Sequence, residues 1–335
     1  MRRLALWFAV SSSILAPGLA RADETGSNMA EAARRFLGTL DDKQRAQASF
    51  PFDSPERTNW HWIPRPRNGV PIKELGPDER SVAFGLIATG LSTKGFLKAT
   101  TIMSYEELLR VEEKGTGPVR DSELYYLSVF GTPEDRGEWG WRVEGHHLAL
   151  NFTLRHGKVV SATPFMFGSN PAEVPSGPRK GLRNLAEIQD PAYALLQTLT
   201  PEQRKTALVA AVAPEVTVTP NPAQALLITP QGIISDDLKP EQVALLHKVI
   251  EAYYVNFPEP IRSDLQAQFR QGQSPLYFAW YGPADTMQNH AFHIQGPTLY
   301  IDFNDTQNGV NHIHTFYRSL LGDFGASTAA ASASH

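Results

Sequence analysis

The 335-residue chain contains no cysteine. That absence removes disulfides, thiolate metal ligands, Fe–S clusters, cysteine nucleophiles and any disulfide-linked partner. A metal site here must be built from nitrogen and oxygen alone. Basic residues are too few for a general nucleic-acid binder. Lys and Arg number 31 against 35 Asp and Glu, for a net charge of −4, so no nucleic-acid partner is expected. Beyond the N-terminus no apolar run approaches the roughly 18 residues that a membrane-spanning helix needs, so no membrane span is expected. Several signature loops are missing as well. The chain has no Gly-x-Ser-x-Gly elbow, no His-Glu-x-x-His and no glycine-rich or Gly-Lys-Ser/Thr phosphate loop. These absences demote serine hydrolase, zincin protease and NTPase, and they argue against a nucleotide cofactor.

What is present begins with a targeting pattern. Arg2 and Arg3 precede an apolar run from Leu4 to Ala16, and Ala20-Arg21-Ala22 has the small-x-small form of a signal-peptidase site. Residues 1–22 are therefore expected to be a signal peptide cut near Ala22, giving a periplasmic or secreted protein. The mature chain would carry 28 basic and 35 acidic residues, a charge of −7. Its 41% hydrophobic content allows a sizeable core, and its length suggests about two units of roughly 150 residues.

The mature chain reads as two similar halves. A leucine followed by a helix-start signal occurs at Leu40, Leu75, Leu199 and Leu238, three of them with a proline at the first helical position. Thr200 and Gln203 add a capping box. Tyr125–Gly131 matches Leu276–Gly282, and Trp141–Phe152 matches Phe292–Phe303, both at an offset of 151 residues. Four similar segments in the same order indicate internal duplication. Leu245, Leu246, Val249, Ile250 and Tyr253 share one helical face. His156-Gly157 and Asn308-Gly309 suggest tight hairpin turns. The expected class is α+β, with two similar halves about a pseudo-twofold axis. Each half is a helical segment plus an antiparallel β-meander. The halves are 30–168 and 188–325, joined by a linker at 169–187 and followed by a disordered tail at 326–335.

Several stretches resemble the domain-of-unknown-function 3500 family of exported proteins. They are Asn59-Trp60-His61-Trp62-Ile63-Pro64-Arg65, Trp139–Leu148, Gly168-Ser169-Asn170-Pro171, Ile294-Gln295-Gly296-Pro297, Asn304–Asn308 with Asn311-His312-Ile313-His314, and Gly322-Asp323-Phe324-Gly325. The resemblance spans Ala30 to Gly325 and carries no established activity to transfer. It departs at His293, where arginine or another polar residue is expected.

The histidines are the chemistry candidates. His146 and His147 are adjacent, and His312 and His314 stand two apart. In a strand, residues i and i+2 face the same way, so a His-x-His pair presents two imidazoles together. Were His146 and His147 strand residues, His147 would face the polar side and His146 the core. Such a set holds Zn or Cu, with a neighbouring carboxylate as ligand, orienter or base. The candidate metal ligands are His146, His147, His312 and His314. Glu144 and Asp302 are candidate bases, and Arg142 is the candidate substrate anchor. The chain is thus expected to be an exported, metal-dependent hydrolase or oxidase for a small or anionic substrate. Two alternatives stand beside it. One is a non-catalytic envelope binder of a small ligand or metal. The other is a structural module whose histidines are hydrogen-bond partners. With unperturbed histidines near pH 6.5, a metal held by them should be lost between about pH 7 and pH 5.

Overall fold

The computed structural model describes residues 17–214, 222–225, 228–272, 275–284 and 288–326. The expected tail beyond Ala326 and the apolar run at the N-terminus lie outside the described residues. Eight helices and thirteen strands are seen among the described residues. In the first half these are α1 (Pro17–Thr39), α2 (Asp42–Ala48), β1 (Ser49–Phe50), β2 (Val70–Pro71), α3 (Pro77–Gly90) and α4 (Thr93–Glu112), then β3 (Tyr126–Gly131), β4 (Glu138–Gly145), β5 (Leu148–Arg155), β6 (Lys158–Ser161) and β7 (Phe165–Ser169). The second half holds α5 (Ala186–Thr198), α6 (Pro201–Ala207), β8 (Leu208–Ala210), β9 (Ile233–Ile234), α7 (Pro240–Tyr254) and α8 (Glu259–Gln271), then β10 (Tyr277–Tyr281), β11 (His290–Gln295), β12 (Leu299–Asp305) and β13 (Ile313–Ser319). No helix among the described residues is long and apolar enough to cross a membrane.

The four helix-start signals each open a helix. Asp41 and Gln44 close a reciprocal capping box on α2, and Thr200 and Gln203 do the same on α6. On α3 and α7 the first backbone amide is instead satisfied by the third residue. The amide of Gly76 donates to Glu79 at 2.7 Å, and that of Lys239 to Gln242 at 2.8 Å. These bonds fill donors that a helix N-terminus otherwise leaves open.

All thirteen strands belong to one mostly antiparallel sheet, with the main path β1-β3-β4-β5-β7-β13-β12-β11-β10-β8. The two halves therefore meet edge to edge, through the antiparallel β7–β13 pair, and form no separate facing sheets. Pairing repeats between them. β1 runs parallel to β3 as β8 does to β10, and β2 and β9 flank the same two strands. Tyr126 lies opposite Glu144 and Tyr277 opposite Gln295, both separated by the 151-residue offset.

Alternation along the strands fixes the two faces. Trp139, Trp141, Val143, Phe292, Ile294, Ile301 and Phe303 join the main core with α3, α4, α5 and α7. α3 comes close to the sheet at Gly90, where a Cβ would stand 2.6 Å from the Phe152 ring and 2.8 Å from that of Trp141. The opposite face is polar yet buried. It carries Arg142, Glu144, Asn151, His293, Asp302 and Asn304. Extended chain covers it. Trp60 and Trp62 pack there against Met166 and Phe316, while Asn304 and Gln295 donate to the carbonyls of Pro214 and Ile228.

His156-Gly157 forms the expected two-residue turn, with φ of 49° and 74°. Asn308-Gly309 does not form a tight hairpin by itself. It lies within a longer connection from Thr306 to His312, because Asp305 holds the amide of His312 at 3.0 Å.

Candidate metal centre

The centre begins at the β4–β5 hairpin. Gly145 pairs with Leu148, so His146 and His147 form the two-residue loop and are not strand residues. The alternation argument about their faces therefore does not hold. His147 takes φ 61°, a region that histidine tolerates better than most side chains. The loop is tied on three sides. The amide of His147 donates to the Trp62 carbonyl at 2.9 Å, and its carbonyl accepts from the Gly168 amide at 2.8 Å. The Tyr125 hydroxyl donates to the His146 carbonyl at 2.9 Å. The His147 ring lies on Gly168, where a Cβ would come within 2.7 Å of it.

His314 sits opposite Gly168 in the β13–β7 pair, so it faces the same ring. The Nε2 of His147 is 2.8 Å from that of His312 and 3.2 Å from that of His314. Ligands at tetrahedral angles about 2.05 Å from one ion would lie roughly 3.3 Å apart, close to this spacing. His146, His147 and His312 each offer a ligand nitrogen within 4.8 Å of the others, and could hold a metal ion. The two histidine pairs, distant in sequence, thus converge at the seam between the halves.

The surroundings keep these imidazoles neutral. Burial, Arg120 and Arg67 lower His146 to about 3. Burial, His146 and Arg120 lower His312 to about 4. Burial and the neighbouring imidazoles hold His147 and His314 well below the ordinary value. Neutral imidazole is the metal-binding form.

Three residues that the sequence reading missed complete the centre. Glu106 on α4 lies 2.5 Å from Nδ1 of His146, and burial raises its carboxyl to about 8. A protonated Glu106 donating to Nδ1 satisfies both groups. Arg120 approaches the same Nδ1 at 3.0 Å and grips Glu113 with two bonds of 2.6 and 2.8 Å. A signal for Glu106 was available. It falls four residues after Ile102 and three before Leu109, on the buried stripe of α4, where an acid needs a partner.

The other expected site residues lie elsewhere. Arg142 is 1% exposed and bonds Glu56 at 2.6 Å, with Glu144 at 3.2 Å. Glu144 accepts the His61 amide at 2.7 Å, and burial raises its carboxyl although Arg142 and Arg67 oppose this. Asp302 is 3.4 Å from His293 on the neighbouring strand. None of these contacts is to the four histidines.

Beside His146 and Glu106 opens a cavity of about 320 Å³, lined by Arg65, Arg67, Leu124 and Tyr126 among others. No curated protein and no solved structure matches this chain. One family model does match, over residues 22–326, and it is described as a protein of unknown function. That span covers nearly the whole chain, which therefore belongs to the DUF3500 family.

Proposed function

We propose that this protein is an exported metal-dependent enzyme, a hydrolase or oxidase, that holds Zn or Cu at the histidine centre and acts on a small or anionic substrate. The observation that carries this reading is the convergence of His146, His147 and His312, whose ligand nitrogens lie within 4.8 Å of one another, with the Nε2 of His147 2.8 Å from that of His312. Three imidazoles with one open position suit a catalytic ion, which would polarise a bound water or substrate oxygen. His314, with its Nε2 3.2 Å from that of His147, would be a fourth ligand, and His146 would connect the ion to Glu106. For His146 to ligate through Nε2, its ring proton would have to sit on Nδ1 and Glu106 would have to be ionised; a carboxylate so placed fixes the tautomer and raises the basicity of the ring. Glu144 and Asp302 are kept as candidate proton-handling groups and Arg142 as the candidate charge anchor, all three on the polar face under the covering segment and apart from the four histidines.

Export is supported by the residue pattern up to Ala22, where the family match also begins. A cut there would fall within α1, whose remaining part packs through Met29, Ala33 and Phe36. Internal duplication about a pseudo-twofold axis is supported by the repeated pairing order and the shared register.

The test is elemental analysis of protein purified without chelator. About one equivalent of a transition metal is expected, as for a single closed ligand set. Less than about 0.2 equivalents, with no gain on reconstitution, overturns the reading. Burial of His146 and His147 favours one alternative, a binder without turnover. Tight metal binding with no activity on ester, peptide or oxidase substrates would select it.

Acid should release the metal later than unperturbed histidines imply. His312 protonates near pH 4 and His146 near pH 3 in the fold. Retention by dialysis should therefore hold through about pH 5 and fall near pH 4. Loss between pH 7 and 5 would contradict this. The metal-free chain follows the same groups. Their folded values lie below the unfolded value of about 6.5. The unfolded state thus gains protons first, and stability falls as pH drops from about 6.5 towards 4. Glu106 acts oppositely. Its folded value of about 8 lies above the unfolded one, so its contribution is lost as pH rises from about 4.5 to 8.

Gly168→Ala should displace the His147 ring. Metal affinity is expected to fall at least about ten-fold, as when a supporting contact of a ligand is lost, with roughly 1–3 kcal/mol of stability. Metal titration and urea unfolding measure the two effects.

A further inference from the structure

We propose that the cavity beside His146 is a binding site for a small organic carboxylate, held by Arg67 with Arg65. For the claim that this ligand is a substrate, the proposal rests on the metal-enzyme reading; the binding claim stands on the cavity alone. Three observations on the cavity lead to it.

The first is charge. Among the described residues, neither Arg65 nor Arg67 forms an ion pair with any carboxylate. Arg67 spends its terminal nitrogens on backbone carbonyls. It donates to Arg65 at 2.9 Å, to His61 at 3.3 Å and to Ile63 at 2.6 Å. Its Nε is buried with no hydrogen-bond partner. Arg65 donates to the Pro66 carbonyl at 3.3 Å and approaches the His61 ring at 3.0 Å. A half-buried guanidinium held by carbonyls, with one donor unspent, keeps its charge; Glu144 acts on it electrostatically but forms no direct ion pair with it.

The second is that both acids of the cavity already have partners. Asp121 is 2.5 Å from Lys73 and accepts the Glu123 amide at 2.9 Å. Glu106 is engaged with His146 at 2.5 Å. The uncompensated charge of the cavity is therefore positive. The third is shape and lining. Pro64, Pro66, Pro118, Val119, Leu124 and Tyr126 surround about 320 Å³, at the small end of ligand pockets. Prolines fix their own backbone, so the walls are set before a ligand arrives. An apolar enclosure with little donor capacity beyond two guanidinium groups suits a carboxylate on an apolar body. It suits a strongly hydrated phosphate dianion less well. A ligand so held has its other end free to reach His146, and through it the histidine centre.

The test is calorimetric titration of the full chain with acetate, butanoate and benzoate, each on metal-free and metal-loaded protein. Benzyl alcohol and inorganic phosphate serve as comparisons. At least one carboxylate is expected to bind at one equivalent, at least ten-fold tighter than benzyl alcohol and than phosphate, in the metal-free protein as well. Arg67→Gln is expected to weaken it at least ten-fold. Because Arg67 also ties the loop, Val119→Trp is the second variant. Val119 is 75% exposed, so the larger ring should not disturb the fold, yet it narrows the cavity and should weaken binding too. The proposal is overturned if no carboxylate binds below about 10 mM. It is also overturned if benzyl alcohol or phosphate binds as tightly, or if both variants bind like the wild type. Carboxylate binding by a chain that takes up no metal would support this site while sinking the metal enzyme.

Discussion

His147→Ala is expected to lower bound metal from about one equivalent to below about 0.2 in protein purified without chelator. His147 is the hub of the centre, since its Nε2 is the atom that both His312 and His314 approach. Even partners one step behind a ligand cost 10–100-fold in affinity, so loss of the hub should cost roughly 100-fold or more. The fold should survive, because the loop is held largely by backbone bonds: the amide and carbonyl of residue 147 itself and the carbonyl of residue 146. His247→Ala is the matching control. That histidine lies on α7 against Phe269, with ring centroids 5.3 Å apart, and its loss should leave the metal in place. Full metal content in His147→Ala would sink the centre as described.

The largest loss of stability is expected at Arg142. Its guanidinium is nearly inaccessible and sits between two acids, Glu56 at 2.6 Å and Glu144 at 3.2 Å. Arg142→Met keeps much of the volume and removes the charge. The buried Glu144 and the partly buried Glu56 would then share a space with no cation between them, which should cost about 3–5 kcal/mol. In urea that is a midpoint lower by roughly 1–2 M. The sign with pH is also fixed. Burial already raises Glu144, and without Arg142 its folded value rises further above the unfolded one. The deficit should therefore deepen from about pH 5 to 8 as the unfolded chain gives up a proton that the folded chain keeps. Adding Glu56→Gln should return part of the stability. If Arg142→Met unfolds like the wild type and only ligand binding falls, the residue is a substrate anchor after all.

Much of the framework was legible because it depends on local rules. The proline and capping signals at Leu40, Leu75, Leu199 and Leu238 open helices, since orphan amides must be met within a few residues. The α7 stripe and the repeated strands followed from period alone. His312 and His314 do present their rings together, with centroids 4.6 Å apart, although His312 lies just before β13 and only His314 is a strand residue. What the sequence hid was non-local. His146 and His147 continue a strand pattern, and only the register shows that the chain turns there. Glu106 and Arg120 reach the centre from α4 and the segment after it, across 40 and 26 residues. Arg142 looked like a substrate anchor because arginine forks suit anions. In the fold that fork is already engaged by Glu56.

The seam between β7 and β13 has a consequence for how the centre is assembled. The histidines that meet there are separated by 165 and 167 residues along the chain. A growing or severed chain thus carries at most one pair, and a lone pair is a weak ligand set that any Zn- or Cu-buffering molecule would outcompete. Loading of a metal would therefore be confined to the finished sheet. Once loaded, the ion would be a rivet across the boundary between the halves. Binding only the folded state at 1,000 times its dissociation constant adds about 4 kcal/mol to stability. The lifetime of the molecule would then follow the metal supply of its surroundings, and depletion would open the sheet first along that seam.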